Sequence, residues 1–245
     1  HVGNAPDEET GAVTSPIHFS STFKQNEVGV HKGYDYSRAG NPTRERFEKN
    51  ISSLENARYG VAFSSGMAAI SNILFSNLKP GDTVVAGKDT YGGTSKIFLE
   101  FLPKFEIKVE LCDTTDHKLI EEKINQKCQL LYLETPTNPT IKITDIKRLS
   151  AAAKKMGALV VVDNTFATPI NQNPLLLGAD ITLHSASKYL GGHADALGGV
   201  ICGNKDLVKK VYHYREINGA TLAPMDAYSL LRGMKLSLIH ISEPT

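Results

Sequence analysis

A short segment, Ser64–Met67, carries residue types that could bind an anion. It joins a strand-like stretch to a run of good helix formers, so we expect a helix to begin near Gly66. The free backbone N–H groups of Gly66 and Met67 would then face the ligand, with the Ser65 hydroxyl beside them. Helix N-termini with free N–H groups bind anions, and phosphate is the usual one.

Two other interpretations of this segment stay open. Ser65 could be no more than the capping residue of the helix. Alternatively, residues 62–66 form an alanine variant of the G-x-S-x-G elbow, in which Ser64 would be the nucleophile of an α/β-hydrolase. Such an enzyme needs a histidine base at a strand exit, and His184 or His193 would have to serve.

An acid, Asp163, directly follows the unbroken apolar run Leu159–Val162. A run of this kind is typical of a parallel strand that is buried on both faces. A carboxylate at the exit of such a strand costs desolvation energy unless it has a cationic partner. Asp163 could also cap the following turn. A magnesium-ligand role is disfavoured, because the chain has no G-x-x-x-x-G-K-[ST] loop.

A lysine, Lys188, follows the next predicted strand, Ile181–Leu183, and is flanked by Ser185 and Ser187. The chain between Asp163 and Lys188 is long enough for one strand–helix–strand crossover, so we expect both residues at the same edge of the sheet. Lys188 is either a solvated surface amine or a desolvated amine of the kind that forms Schiff bases.

Together, these three segments match the three functional groups of one ligand, pyridoxal 5'-phosphate (PLP). Its phosphate needs N–H and hydroxyl donors, its pyridine nitrogen needs a carboxylate, and its aldehyde needs an amine. The combination therefore favours a PLP enzyme over a hydrolase or a binding module without catalysis.

Five longer motifs resemble, in order, the Cys/Met-metabolism (trans-sulfuration) family of PLP-dependent enzymes. The family includes cystathionine γ-synthase, cystathionine γ-lyase, O-acetylhomoserine sulfhydrylase and methionine γ-lyase. The resemblance runs from His1 to about Lys235, and its motifs are Tyr34–Arg44, Ser64–Ala69, Glu134–Pro139, Val162–Phe166 and His184–Tyr189. It implies an α/β fold, the large domain of a fold-type I PLP-dependent transferase, with a mostly parallel sheet flanked by helices and an extended N-terminal arm.

The resemblance also implies roles for single residues. Lys188 and Tyr91 would be the catalytic residues: Lys188 would hold the cofactor covalently and carry protons, and Tyr91 would stack on the pyridine ring. Asp163 would keep the pyridine nitrogen protonated, and Asn138 would lie near the ring's 3-oxygen. The residues implied to bind the phosphate are Ser65, Gly66, Met67, Ser185 and Ser187.

In this family, the arm residues Tyr36 and Arg38 would reach the neighbouring subunit and bind the phosphate of its PLP. The resemblance therefore implies a homodimer with composite sites, paired into a homotetramer. The implied reaction makes or breaks a carbon–sulfur bond at the γ-carbon of a homoserine-derived or cystathionine-like amino acid, as in cystathionine γ-synthase or γ-lyase. O-Acetylhomoserine sulfhydrylase and methionine γ-lyase are the alternatives within the family.

The elements that must position these residues follow from the hydrophobic pattern. Short β-branched runs alternate with helical stretches, which predicts crossovers and a mostly parallel sheet. The clearest helix is predicted over Asp145–Met156, with Asp145 as its cap and Gly157 at its end. We expect an arm over residues 1–45 and the PLP-binding domain over 46–235. Residues 236–245 depart from the family pattern and resemble translated adaptor sequence, so we expect a non-native tail and a missing C-terminal domain.

Composition excludes several classes of protein. The 245 residues carry 27 Lys and Arg against 26 Asp and Glu, a net charge of +1. This balance disfavours a nucleic-acid or membrane-surface binder, because both need a concentrated basic face. No apolar run approaches the roughly 20 residues that cross a bilayer. The three cysteines form no C-x-x-C pair, which disfavours a thiolate metal site and favours a reducing cytoplasm.

Overall fold

The computed structural model describes residues 2–236, which form a seven-stranded sheet covered by helices on both faces. The strands are β1 (Tyr59–Phe63), β2 (Thr83–Gly87), β3 (Lys108–Cys112), β4 (Leu130–Glu134), β5 (Leu159–Asp163), β6 (Ile181–Ser185) and β7 (Gly199–Gly203). Their order across the sheet is β1-β7-β6-β5-β4-β2-β3. The five strands from β6 to β3 are parallel, and β7 is antiparallel to both of its neighbours. The predicted α/β class and mostly parallel sheet are confirmed.

The helices connect these strands and cover the sheet. They are α1 (Pro42–Leu54), α2 (Gly66–Asn77), α3 (Gly92–Lys96), α4 (His117–Gln126), α5 (Ile146–Lys155), α6 (Thr168–Asn171), α7 (Lys205–Asn218) and α8 (Pro224–Met234). Short π and 3-10 turns occur at Ile97–Phe101, Leu102–Phe105 and Pro174–Leu177. Buried residues of α2 and α7 pack on one face of the sheet, and those of α4 and α5 pack on the other.

The helix predicted at Asp145 is α5, and it has the expected signals at both ends. The Asp145 side chain accepts a hydrogen bond from the Arg148 N–H at 2.9 Å. Gly157 follows the helix with a φ of +69°, a conformation in which a Cβ would be strained. The apolar run of β5 comes next, and its valines alternate between the two cores, Val161 on the α2 side and Val160 and Val162 on the α5 side. This explains why the run is apolar at every position.

Two buried arginines, Arg44 and Arg215, hold the segment that ends just before α1, within the predicted arm. Arg44, on α1, donates from Nη2 to the carbonyls of Ser37 at 2.7 Å and Ala39 at 3.2 Å. Arg215, on α7, also donates to the Ala39 carbonyl at 3.2 Å. Both guanidinium groups are buried, and the Glu48 carboxylate lies 3.0 Å from Arg215 and 3.8 Å from Arg44. A buried cationic pair with one shared acid therefore anchors the end of the arm.

The division of the chain into an arm over 1–45, a domain over 46–235 and a tail stays a prediction. All of the predicted tail, 236–245, except Leu236 lies outside the described residues. Within residues 2–236, no helix combines the length and the apolar character that crossing a membrane requires.

Candidate active site

The carboxyl ends of β4, β5 and β6 lie side by side at one edge of the sheet. Glu134, the last residue of β4, is in register with Asp163, the last residue of β5. Asp163 is in register with Leu183 of β6, which ends two residues later at Ser185. The backbone N–H of Lys188 donates to the Ser185 carbonyl at 3.1 Å, in the turn that follows. The structure thus brings Asp163 and Lys188 to the same sheet edge.

Asp163 is a buried carboxylate that has neutral hydrogen-bond donors. Its Oδ2 accepts from the Tyr132 hydroxyl at 3.1 Å, and its Oδ1 accepts from the Thr165 N–H at 3.0 Å. It is 7% exposed, and it forms no ion pair within the described part of the chain. Burial raises the pKa of Asp163, although the hydrogen bonds from Thr165 and the nearby His184 oppose that rise. The site therefore favours a cationic partner for this acid.

Glu134 is a second buried acid beside Asp163, and sequence reasoning did not identify it as a site residue. Its Oε2 accepts from the Tyr91 N–H at 2.8 Å, and its Oε1 accepts from the Asn138 N–H at 3.0 Å. Burial and the neighbouring Asp163 charge raise the pKa of Glu134 to about 7. One feature of the sequence could have identified Glu134: it ends a predicted strand and begins the motif Glu134–Pro139.

The segment predicted to form an anion cup lies at the start of α2, which begins at Gly66 as expected. Ser65 caps this helix, and its Oγ accepts from the Ala68 N–H at 3.0 Å. Gly66 lies against β6, because a Cβ on it would come within 2.7 Å of the Ser185 Cβ. The Ser185 side chain and the first turn of α2 are therefore adjacent, which a larger residue at position 66 would prevent.

A second glycine brings Tyr91 next to the same cup. A Cβ on Gly93 would lie 2.7 Å from the Met67 Sδ and 2.7 Å from the Tyr91 Cε1. Tyr91 itself is 49% exposed, so its ring is not part of the core. Asn138 is exposed in the loop after β4. The predicted ring-stacking residue is thus close to the predicted phosphate site.

Lys188 and Ser187 lie in the turn between β6 and β7. The Ser187 Oγ accepts from the Gly198 N–H at 2.9 Å, which fixes this turn against the start of β7. The Lys188 side chain is exposed. Within this single chain it is therefore a solvated surface amine, which is the first of the two interpretations given above.

Thr165 links Asp163 to Ser185, and sequence reasoning gave it no role. Its N–H donates to the Asp163 carboxylate, and its Oγ1 accepts from the Ser185 N–H at 2.8 Å. It therefore sets the spacing between the acid and the end of β6. A threonine two residues after the acid is compatible with this role, but nothing in its spacing distinguishes it from an ordinary turn residue.

Tyr36 and Arg38 lie on the exposed surface of the arm. The guanidinium carbon of Arg38 is 5.4 Å from the centroid of the Tyr36 ring, a cation–π contact. Within residues 2–236, neither side chain forms a hydrogen bond or ion pair with the other predicted site residues. They are thus a separate pair, away from the hydrogen-bonded site of their own chain.

The residues of the alternative hydrolase do not form a triad. The Nε2 of His184 is 2.5 Å from the Glu55 Oε1, and both side chains are fully buried. The Nδ1 of His193 is bonded to the Gly191 carbonyl at 2.8 Å. In the described part of the chain, the exposed Ser64 hydroxyl has no hydrogen bond to either histidine, so the structure lacks the nucleophile–base contact that a serine hydrolase requires.

The donor set of this edge fits PLP. Two neighbouring buried acids with raised pKa values, Asp163 and Glu134, favour a cationic ring N–H over a neutral or anionic group. The start of α2 offers free N–H groups of a twelve-residue helix to a phosphate. An amine follows at Lys188. Taken together, the fold and the site define the PLP-binding domain of an α/β enzyme.

The chain belongs to the family described as "Cys/Met metabolism PLP-dependent enzyme", whose sequence model matches residues 1–241. This confirms the predicted family and its cofactor, PLP. The chain is 46% identical to a cystathionine gamma-lyase of Bacillus subtilis, over 96% of this chain and 62% of that protein. It is 43% identical to a cystathionine beta-lyase of Coxiella burnetii, over 98% of this chain and 63% of that protein.

Solved structures show the same fold. The chain superposes with a TM-score of 0.92 on a cystathionine gamma-lyase from Lactobacillus plantarum complexed with L-serine, at 42% identity, covering 98% of this chain and 62% of that one. The TM-score is 0.93 for a cystathionine gamma synthase from Xanthomonas oryzae pv. oryzae in complex with cystathionine, at 40% identity, covering 96% and 61%. The chain thus spans less than two thirds of these relatives, and the activity of the whole protein is a proposal.

Proposed function

We propose that this protein is a PLP-dependent enzyme that makes or breaks a carbon–sulfur bond at the γ-carbon of a homoserine-derived or cystathionine-like amino acid. The observation that carries the proposal is one sheet edge where three features occur together: a helix N-terminus, a lysine, and a buried acid that has no ion pair among residues 2–236. The names of the relatives, cystathionine lyases and synthases, support the substrate class.

In this proposal, Asp163 and Lys188 bind opposite ends of the cofactor. Asp163 accepts a hydrogen bond from the ring nitrogen and keeps the proton there, a charge-assisted bond that contributes roughly 1.5–3 kcal/mol. Lys188 would bind the aldehyde end through its Nζ, and the amino group of the substrate would displace it there. Tyr91 stacks on the ring, and Asn138 lies near the 3-oxygen. The phosphate is held by N–H and hydroxyl groups of Ser65, Gly66, Met67, Ser185 and Ser187.

The same residues account for the chemistry. When bound, PLP supplies a cationic aromatic ring that withdraws electrons from the α-carbon of the amino acid joined to it. The Lys188 Nζ, free once the amino group of the substrate has taken its place, would accept the proton from that α-carbon. Once it has given up the α-proton, the same amine would take a proton from the β-carbon, and the γ-substituent would leave with the electron pair of its bond or be replaced by an incoming thiol. Asp163 would keep its hydrogen bond to the ring nitrogen throughout, because the carboxylate itself is buried and such a bond is strong where water has little access.

We further propose that Tyr36 and Arg38 complete the site of a neighbouring subunit in a homodimer, itself paired into a tetramer. Arg38 is suited to bind two oxygens of a phosphate as a fork. The pair is exposed in the single chain, and the buried Arg44 and Arg215 hold the arm directly beside it. A cytoplasmic location is compatible with the three cysteines, which are all buried and unpaired.

The experiment is a cofactor titration followed by a panel of substrate assays on the purified protein. We expect a saturable absorbance change with PLP, and turnover of cystathionine or of O-acylhomoserine with cysteine or sulfide. Release of cysteine with 2-oxobutyrate from cystathionine indicates γ-cleavage, whereas homocysteine with pyruvate indicates β-cleavage.

The matched variants are Lys188→Ala and Lys209→Ala, the second at an exposed lysine of α7. We expect Lys209→Ala to behave like the wild type and Lys188→Ala to lose turnover. Absence of cofactor uptake by the wild type, or full turnover by Lys188→Ala, would contradict the proposed function.

A further inference from the structure

We propose that Glu134 is a positioning residue of the cofactor site: its two carboxylate oxygens hold the loop of Tyr91 and the turn of Asn138 in fixed places beside Asp163. The proposal rests on the function proposed above and adds a residue to it. Glu134 acts through the backbone of these two segments, and contact with the substrate is no part of the role.

The geometry joins two segments that are separate in the chain. The Tyr91 loop follows β2, and the Asn138 turn follows β4. The carboxylate accepts one backbone N–H on each oxygen, at 2.8 Å from Tyr91 and 3.0 Å from Asn138. Because Glu134 is 7% exposed, water has little access to replace either bond. One side chain thus sets the distance between two predicted cofactor contacts.

A second link between the same segments lies nearer the surface. The Lys142 Nζ is 2.8 Å from the Asp89 carboxylate and 2.6 Å from the Asp113 carboxylate. Each of these side chains is about a quarter exposed, and ion pairs that water can reach contribute little. Glu134 is therefore the main buried link, and Lys142 provides a comparison for it.

A carboxylate is better suited than an amide at this position. The two backbone N–H groups approach different oxygens, and a glutamine has only one oxygen. In Glu134→Gln, the new NH₂ group faces an N–H donor, so one of the two backbone groups loses its acceptor. The side-chain volume is almost unchanged, and the effect is confined to hydrogen bonding.

The first measurement is amide hydrogen exchange by NMR, without cofactor, at about pH 8, where the Glu134 carboxyl group is ionised because its pKa is about 7. In Glu134→Gln we expect the amide of Tyr91, of Asn138, or of both to exchange about tenfold faster or more, because hydrogen bonds to charged acceptors are worth that much. The control is Glu122→Gln, at an exposed glutamate of α4, for which we expect wild-type exchange at both amides. Lys142→Met should change exchange at these amides much less than Glu134→Gln.

The second measurement is a double-mutant cycle on PLP affinity. As a single substitution, Glu134→Gln should raise the dissociation constant of PLP about tenfold. The same substitution should have a smaller effect in a Tyr91→Ala/Asn138→Ala background, because the contacts that Glu134 positions are then absent. A role in stability alone predicts equal effects in both backgrounds.

Unchanged exchange at both amides in Glu134→Gln would overturn the proposal, and so would equal effects on affinity in the two backgrounds. Failure of the proposed function has a different signature, which is the absence of saturable PLP binding by the wild type. Amide exchange needs no cofactor, so it decides in either case whether Glu134 holds the two segments.

Discussion

Substitution of Glu134 should change how the stability of the cofactor-free protein depends on pH. Its carboxyl group is buried against Asp163, with Tyr132 two residues earlier on the same strand and no cation paired with either acid within residues 2–236. Burial and the Asp163 charge raise the pKa of Glu134 from its ordinary 4.5 to about 7. The folded state therefore binds this proton more tightly than the unfolded state does.

The sign and the size follow from proton linkage. A raised folded-state pKa contributes stability that is complete below 4.5 and is lost as the pH rises through about 7. Each pH unit over which the two states differ by one proton is worth about 1.4 kcal/mol. Over the whole range from 4.5 to about 7, protonation of Glu134 contributes roughly 3 kcal/mol to the free energy of unfolding. Roughly 2.5 kcal/mol of this contribution is lost between about pH 5 and about pH 8.

The assay is urea unfolding followed by circular dichroism at about pH 5 and about pH 8, without cofactor. Between these two pH values, the free energy of unfolding of the wild type should fall more than that of Glu134→Gln, by roughly 2.5 kcal/mol. Glu122→Gln removes an exposed carboxylate and should keep the wild-type difference. Groups whose titration does not depend on Glu134 cancel in the comparison.

An identical pH dependence in the wild type and in Glu134→Gln would refute this reasoning. It would mean that the Glu134 carboxyl group has the same proton affinity in the folded and unfolded states. A larger fall in the glutamine variant would be equally damaging, since it would reverse the sign derived from burial.

Two further substitutions test the supports of the site. Arg215→Met should destabilise the protein by about 3 kcal/mol in urea unfolding, because it removes a buried guanidinium that pairs with Glu48 and donates to the Ala39 and Ala62 carbonyls. The exposed Lys209→Met should change little. A loss below about 0.5 kcal/mol for Arg215→Met would show that the arginine is dispensable. Gly66→Ala should cost about 1–3 kcal/mol and weaken PLP binding, because its Cβ would come within 2.7 Å of the Ser185 Cβ. Gly92→Ala, whose Cβ would meet open space, is the control for stability, and equal unfolding midpoints for the two variants would contradict the close approach.

The fold was predictable because its signals are local. The alternation of β-branched runs with helical stretches indicates parallel strands, and Asp145 and Gly157 mark the ends of α5 within the segment itself. The antiparallel β7 is different. Its connection from β6 holds no crossover helix, and the β-branched pair in its sequence says nothing about direction.

The site was predictable only in part, because some of its contacts depend on strand register. Asp163 and Lys188 each follow a recognisable strand, so their common edge could be inferred. The contact of Glu134 with Asp163 requires β4 and β5 to be neighbours in a particular register, which neither strand encodes alone. Arg215 reaches Glu48 across 167 positions of sequence, and a charged residue carries no local sign that it will be buried.

Covalent trapping of the cofactor shows whether Lys188 and Asp163 hold one PLP molecule between them. The purified protein is incubated with PLP, reduced with borohydride, digested and analysed by peptide mass spectrometry. We expect the reduced cofactor on Lys188, and a lower yield from the Asp163→Asn variant. Cofactor found on another lysine, or on none, would contradict this expectation.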